Sequence, residues 1–326
     1  MSSKLMHSSI KKFDLDFFLK AFIIVILWAT PPLVSKMWVG TKGVFPGLYF
    51  GFLRYIFGFF SLFIIIGLRK KLVNLKQLLK ENFKPILFCS AWLVLMIIGQ
   101  NFSILYILGA SSSVLLNFNP VLIYLCAPLL FTDEKYTIKK TLGFVLSTFG
   151  IIIVFLASLE TSTVITIDFT IGYVLGFLSG VAWAGYSLSL KQHFQESQSQ
   201  EVTALNLLIA AIVLLVFSMI TESPPTIENY NLESIWGIVL IGVGAAAVAF
   251  TLYLQLVQKY GATRAGNIQF LIPLVSLFFA LIFLAEFSIF TLVGGIFCAI
   301  GVAMVNYEKS ERGLEVATRT LLRVES

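Results

Sequence analysis

The chain alternates between apolar runs of about twenty residues, the length a helix needs to cross the hydrocarbon core of a bilayer, and short polar stretches. Reading the runs between charged residues predicts ten helical spans, at 17–38, 44–68, 85–108, 111–131, 138–158, 169–190, 202–220, 234–257, 264–285 and 287–307. Their connections are short, apart from a basic loop near 69–84 and polar stretches near 191–201 and 221–233. An even number of crossings puts both ends of the chain on one side. The leading residues are polar and the first run, from Phe17, is long enough to remain in the membrane, so no cleaved leader is expected.

Composition agrees. Of 326 residues, 58% are apolar and 12% charged, with a mean hydropathy of +0.92, whereas a soluble domain carries roughly 25% charged residues. This excludes a soluble enzyme, a nucleic-acid-binding domain and a disulfide-rich secreted scaffold. The net charge of +6 has a topological cause. With the N-terminus in the cytoplasm, the Lys and Arg clusters at 4–20, 69–84, 135–140 and 309–323 fall inside, together with Lys191, Lys259 and Arg264. Lys42 alone falls outside, while Lys36 and Arg54 lie within spans. That asymmetry places both termini in the cytoplasm. The acidic outer loops, with Glu160, Asp168, Glu222, Glu228 and Glu233, fit the same orientation.

Chemistry is sparse. Cys89, Cys126 and Cys298 all lie in apolar runs and read as small buried hydrophobes. His7 and His193 stand apart from any second ligand at metal spacing, so neither a metal nor a cofactor is expected. No phosphate-binding loop of the Walker type occurs, and no nucleophile–base pair is available within the spans for a membrane enzyme.

The chain repeats itself. Trp28-Ala29 is followed by Lys36 in the first span, and Trp183-Ala184 by Lys191 in the sixth, at the same spacing. GASSSVLLNFNP (109–120) aligns with GATRAGNIQFLIP (261–273), Glu134 with Glu286, and Gly143 and Gly150 with Gly294 and Gly301. Each repeat holds five predicted spans, and an odd number reverses orientation. The expected fold is therefore all-α and polytopic: ten transmembrane helices as two five-helix repeats of inverted topology, the architecture of secondary transporters. The divisions are a cytoplasmic tail at 1–16, a first repeat at 17–158, an outer linker at 159–168, a second repeat at 169–307 and a cytoplasmic tail at 308–326.

The tandem W-A-x6-K segments, the Gly-Ala pair opening the fourth and ninth spans with a proline farther along each, and the Glu before a Gly-rich last span resemble the drug/metabolite transporter superfamily, EamA type. The resemblance covers 17–307 and implies a ten-helix basket with a central cavity lined mainly by spans 1, 3, 4, 6, 8 and 9. It also implies cargo such as amino acids and other metabolites, often exported, with relatives that move nucleotide sugars or phosphorylated sugars.

Arg54 lies near mid-membrane in the second span, where an isolated Arg costs about 2.5–3.5 kcal/mol on insertion scales. All 17 Asp and Glu fall in tails, loops or span edges, so no intramembrane carboxylate partners it. It reads either as a subsite for a substrate carboxylate or phosphate, or as a residue satisfied by helix-end carbonyls, water and aromatics. The same lack of buried carboxylates disfavours a proton-coupled exporter of hydrophobic cations. Gln100, Asn101, Asn117 and Asn119 are expected to face Gln255, Asn267 and Gln269, lining the pathway or bonding helix to helix. Trp28, Trp183, Tyr186 and Tyr253 are candidate cavity walls. Lys36 and Lys191 are expected to snorkel to headgroups, and Glu134 and Glu286 to cap or orient the tight turns they sit in. Gly172, Gly176 and Gly180 read as an intrachain packing stripe. Pro31, Pro32, Pro120 and Pro273 interrupt spans, the last two as paired hinges.

The expected function is a secondary transporter of small polar metabolites in the cell membrane, with amino acids or related carboxylates first and export the expected direction. Its partners are a small-molecule substrate and the lipid bilayer, with no nucleic acid. One chain holding both halves suffices as a monomer. The alternatives are a phosphorylated-sugar or nucleotide-sugar exchanger, which would want two or more buried cations, and a passive pore.

Overall fold

The computed structural model describes residues 15–34, 45–107, 109–159, 167–223, 225–226, 229–284 and 289–306, and among them every regular element is helical. Lys36, Lys42, Glu160, Glu228, Glu286, His7 and the tail charges lie outside the described residues. Seven stretches among the described residues are long and apolar enough to cross a membrane: Gly47–Leu68, Phe83–Tyr106, Thr170–His193, Glu196–Thr221, Leu232–Tyr260, Ala262–Phe283 and Ile289–Asn306.

In chain order, α1 is Leu15–Val34 and α2 is Gly47–Leu68, the latter starting straight after Pro46. The expected basic loop is instead a helix, α3 (Leu72–Glu81). Leu75 and Leu78 bury one face while Lys76 and Lys80 stay exposed. This amphipathic pattern suits a helix lying along an interface rather than crossing it. Next come α4 (Phe83–Tyr106), α5 (Gly109–Leu116), α6 (Asn119–Leu130), α7 (Ile138–Leu159), α8 (Ile167–His193) and α9 (Ser199–Thr221). The rest of the chain supplies α10 (Leu232–Ile241), α11 (Ala249–Tyr260), α12 (Ala262–Asn267), α13 (Ile272–Leu284) and α14 (Ile289–Asn306).

Two expected spans are broken, and at matching places in the sequence repeat. The fourth divides into α5 and α6 at Asn117-Phe118, just before Pro120. The ninth divides into α12 and α13 around a 3₁₀ turn at Ile268–Leu271, just before Pro273. Proline lacks the N–H that would continue the ladder from the preceding turn, which accounts for both positions. By contrast, α1 continues through Pro31 and Pro32 to Val34. The eighth segment carries a seven-residue π-helical stretch, Gly242–Val248, between α10 and α11. There the chain passes so close to α2 that a β-carbon on Gly242 would lie 2.7 Å from the Arg54 carbonyl oxygen.

Packing pairs the helices across the chain: α7 with α14, α2 with α9, α6 with α12, α4 with α8, and α1 with α11 and α13. The closest approach is α7 against α14. A β-carbon on Gly143 would stand 2.8 Å from the Gly301 oxygen, and one on Gly294 2.5 Å from the Gly150 oxygen. Only glycine permits that separation. The Gly172, Gly176 and Gly180 stripe packs within the chain as expected, on Ile107, Leu115 and Ser103. One large core joins α1, α2, α4, α6, α8, α9, α11 and α12, and a smaller one around Tyr124, Phe144, Phe270 and Cys298 backs α7 and α14. Outside this core the helices present a continuous apolar surface, with Leu68 80% and Leu129 77% exposed, as lipid contact requires.

Replacing Gly150 with Leu should separate α7 from α14 and destabilise the fold by more than the usual ~1–3 kcal/mol of overpacking. Leu in place of the exposed Val145 on the same helix should change the unfolding free energy of purified protein by no more than about 0.5 kcal/mol.

Candidate functional site

Where α1, α8 and α11 meet, aromatic rings fill the centre of the molecule. Residues three apart on a helix share a face, so α8 presents Trp183 with Tyr186 and α11 presents Phe250 with Tyr253. Trp28 of α1 lies between them, its ring centroid 5.4 Å from Trp183, 5.8 Å from Phe250 and 5.1 Å from Tyr253. Trp183 in turn lies 5.5 Å from Tyr186 and 5.4 Å from Phe250, and Tyr55 of α2 closes the side, 6.2 Å from Phe250. These are edge-to-face and tilted contacts of the kind aromatic quadrupoles favour. The π-helical stretch completes the group, because the Trp28 indole Nε1–H donates to the Ala245 carbonyl at 3.1 Å.

Two polar chains run outward from this cage. In one, Gln269 Nε2 donates to the Tyr253 hydroxyl at 3.4 Å and Asn119 Nδ2 donates to Gln269 Oε1 at 3.1 Å, while Tyr253 also shares a 2.9 Å hydrogen bond with Ser187. This chain joins the two broken spans. In the other, Asn206 Nδ2 donates to the Tyr186 hydroxyl at 3.4 Å and Ser90 Oγ donates to Asn206 Oδ1 at 2.8 Å. Asn119 Oδ1, Thr203 Oγ1, Thr251 Oγ1 and Arg54 Nε are buried without a hydrogen-bond partner. Buried polar atoms are normally satisfied, so these four mark places where water or a polar solute has something to bond.

The sequence candidates therefore divide. Trp28, Trp183, Tyr186, Tyr253, Asn119 and Gln269 come together at the centre. Arg54 lies on its flank, the guanidinium carbon 5.4 Å from the Tyr55 ring centroid. The other amides do not join the cluster. Asn101 and Asn117 donate to carbonyls of their own helices, Ile97 and Ser113, at 2.9 Å each. Gln100 accepts from Ser179 at 3.3 Å between α4 and α8, and Asn267 donates to the Val302 carbonyl of α14 at 3.3 Å. Gln255 lines a polar crevice with Arg69, Lys71, Glu196 and Gln200. Helical phase decides each case, since an amide can reach only what its face meets. Phe250, Tyr55, Ser187, Asn206 and Ser90 were missed. Asn206 had the same signal as the others, an amide inside an apolar run; the remainder carried none without knowledge of the neighbouring helix.

Two expectations are corrected at the other polar end. Lys191 does not snorkel, and Glu134 does not cap its own turn. Their side chains are 8% and 5% exposed, and Lys191 Nζ lies 2.7 Å from Glu134 Oε1 and 3.0 Å from Asp133 Oδ2. Nearby, Asp16 accepts from Lys259 at 2.7 Å and from the Tyr260 hydroxyl at 2.9 Å, and Lys259 above all holds the Asp16 carboxyl down at about 2. Lys20 lies 3.1 Å from Asp16 and 3.7 Å from Glu196. At the opposite end Glu222 caps α2 from the neighbouring α9, accepting from the backbone N–H groups of Leu48 at 2.7 Å and Tyr49 at 3.0 Å. Among the described residues no group of His, Cys, Asp and Glu could hold a metal ion.

Residues 170–307 match the family model of the EamA-like transporter family. Two uncharacterized transporters of Bacillus subtilis are similar over most of their lengths. YvbV is 27% identical over 286 residues, 87% of this chain and 89% of that protein, and YoaV 24% over 294 residues, 89% and 96%. An uncharacterized transporter of Archaeoglobus fulgidus is 24% identical over 248 residues, 75% of this chain and 83% of that one. A crystal structure at 16% identity superposes with a TM-score of 0.75 over 89% of this chain and 96% of the other, a likeness of fold alone. Apolar helices packed around an occluded polar centre, with these relatives, define a multi-pass integral transporter of the cell membrane. The family match over residues 170–307 and these relatives support the resemblance to the EamA type of the drug/metabolite transporter superfamily.

Replacing Asn206 with Leu strands Ser90 and Tyr186 and should lower stability by about 1 kcal/mol, the scale of one interhelical hydrogen bond in a membrane protein. Adding Ser90→Ala should recover part of the loss, a non-additivity measurable in thermal unfolding of the purified single and double variants.

Proposed function

We propose that this protein is a secondary carrier which exports small carboxylate-bearing metabolites, amino acids foremost, by alternating access. In this reading ten spans form two inverted five-helix repeats with both termini in the cytoplasm. The observation that carries it is reciprocal packing. Gly143 and Gly150 match Gly294 and Gly301 in the sequence repeat, and Gly143 packs on Gly301 while Gly150 packs on Gly294. Exchanging the two halves turns one contact into the other, as a two-fold axis lying in the membrane plane would. Three further facts support the same axis. The fourth and ninth spans break at matching positions. Trp28 and Trp183, matching residues, meet at 5.4 Å. Pairing of α4 with α8 has its counterpart in α1 with α11.

The cage lies on that axis, where a carrier holds its substrate. Its aromatic walls and neutral amides suit a solute with an apolar part and few charges. Arg54, with its buried and unpartnered Nε, supplies a single positive charge beside it. One cation fits one carboxylate, whereas a phosphate ester would call for more. Pro120 and Pro273 sit where bending of α6 and α13 would open one end or the other.

The test uses proteoliposomes loaded with a mixed pool of amino acids and sugar phosphates, with each solute followed by mass spectrometry. Wild type should release particular carboxylate-bearing solutes saturably, and Arg54→Gln should lower kcat/KM for them at least about tenfold, the scale of one charge-assisted contact. Release that never saturates would make the protein a passive pore, and release of sugar phosphates alone would replace the amino-acid assignment.

A further inference from the structure

The Glu134 carboxylate joins three elements that the sequence keeps far apart. It stands in the connection between α6 and α7, receives the ammonium of Lys191 from the last turn of α8, and lies against the turn from α11 to α12. At that turn the Thr263 N–H donates to Glu134 Oε1 at 3.4 Å. Gly261 there has φ +94°, and a β-carbon on it would stand 2.5 Å from the same oxygen. The turn thus needs glycine twice over, for its left-handed backbone and for room to seat the carboxylate. The Phe131 ring lies 4.6 Å from Lys191 Nζ, and Asp133 adds a half-exposed second carboxylate at 3.0 Å.

Stability alone does not call for this arrangement, since well-packed apolar residues of similar volume serve a buried contact at least as well. Ions differ from an apolar plug in one respect. When the contact separates and water enters, each ion regains hydration, whereas an apolar seal gains nothing from water. A buried pair therefore suits a contact that must open. Its position fits that use. Lys191 ends the helix that carries Trp183 and Tyr186, Glu134 follows the helix that begins with Asn119, and Gly261 opens the segment that leads to Gln269. Of the elements that form the cage, α8 and α11 are tied together here, along with the two broken spans that carry Asn119 and Gln269. Lys36 and Glu286, which match this pair in the sequence repeat, lie outside the described residues.

We propose that Glu134 and Lys191 are positioning residues for transport: they lock the cytoplasmic end of the pathway, and the pair separates each time the cage opens inward. This rests on the carrier reading, so its test reads access rather than flux. In a chain with Cys89, Cys126 and Cys298 changed to Ser, Ser187→Cys places one thiol beside the buried Tyr253 hydroxyl. A membrane-impermeant maleimide is applied to vesicles of each orientation. Glu134→Gln and Lys191→Met should each speed labelling from the cytoplasmic side roughly fivefold or more, the lower range of coupling between sites. The exchange Glu134→Lys with Lys191→Glu should return it toward the parent rate.

Labelling unchanged in both single variants, or faster only from the outer side, would overturn the proposal. So would a lower unfolding midpoint with unchanged access, which is what a purely structural tie gives. Should Glu134→Gln fail to fold, Lys191→Met keeps the methylene stem against Phe131 and still decides the question. Access that responds as expected in a chain that moves no solute would retain the lock and remove the carrier assignment.

Discussion

Hydrocarbon offers a protein no hydrogen bonds, and the rest of this structure follows from that constraint. Backbone groups must be satisfied within the chain, so the described residues form helices and nothing else regular. Departures from the α-helix occur where protein surrounds them. The 3₁₀ turn at Ile268–Leu271 and the π-helical stretch at Gly242–Val248 pack against other helices, and Phe118 at the break packs against the smaller core. There a displaced carbonyl finds a new partner, as Ala245 does in Trp28. Irregular backbone and a polar centre thus have a common cause.

Because lipid is as apolar as the helices, packing in the bilayer depends on close fit and on polar contacts. Close fit dominates at α7 and α14, where glycines let backbones meet. Polar contacts dominate at the centre, where tyrosine hydroxyls and amides form chains across helices. The two kinds of contact are segregated: glycine-mediated backbone packing joins α7 to α14, and side-chain hydrogen bonds join the helices at the centre.

Charge is placed by the same rule. Lys and Arg accumulate in the loops expected from the sequence to face the cytoplasm, and those among the described residues are shared between solvent and ion pairs such as Lys259 with Asp16. Arg54 and Lys191 are treated differently. Arg54 is left with an unpartnered Nε beside the cage, while Lys191 is neutralised inside the protein by a carboxylate from the other half of the chain.

The apolar runs, their lengths and the repeated W-A-x6-K and glycine spacings carried the class of fold, because hydrophobicity and helical rise are local properties summed along a segment. The cores of the long helices, α2, α4, α8, α9 and α14, lie where those runs predicted. Trp28 and Trp183 were legible because each stands in a copy of the repeated W-A-x6-K segment. What a side chain touches is not local. Whether Asn119 met Gln269 while Asn117 turned back to Ser113 depended on helical phase near a break. The helix α3 was hidden in what reads as a basic loop, since its apolar face is only a few residues wide. Glu134 and Lys191 lie 57 positions apart. Each alone looks like an ordinary charge at a span edge, and only the fold, by burying both ends at one point, made them a pair.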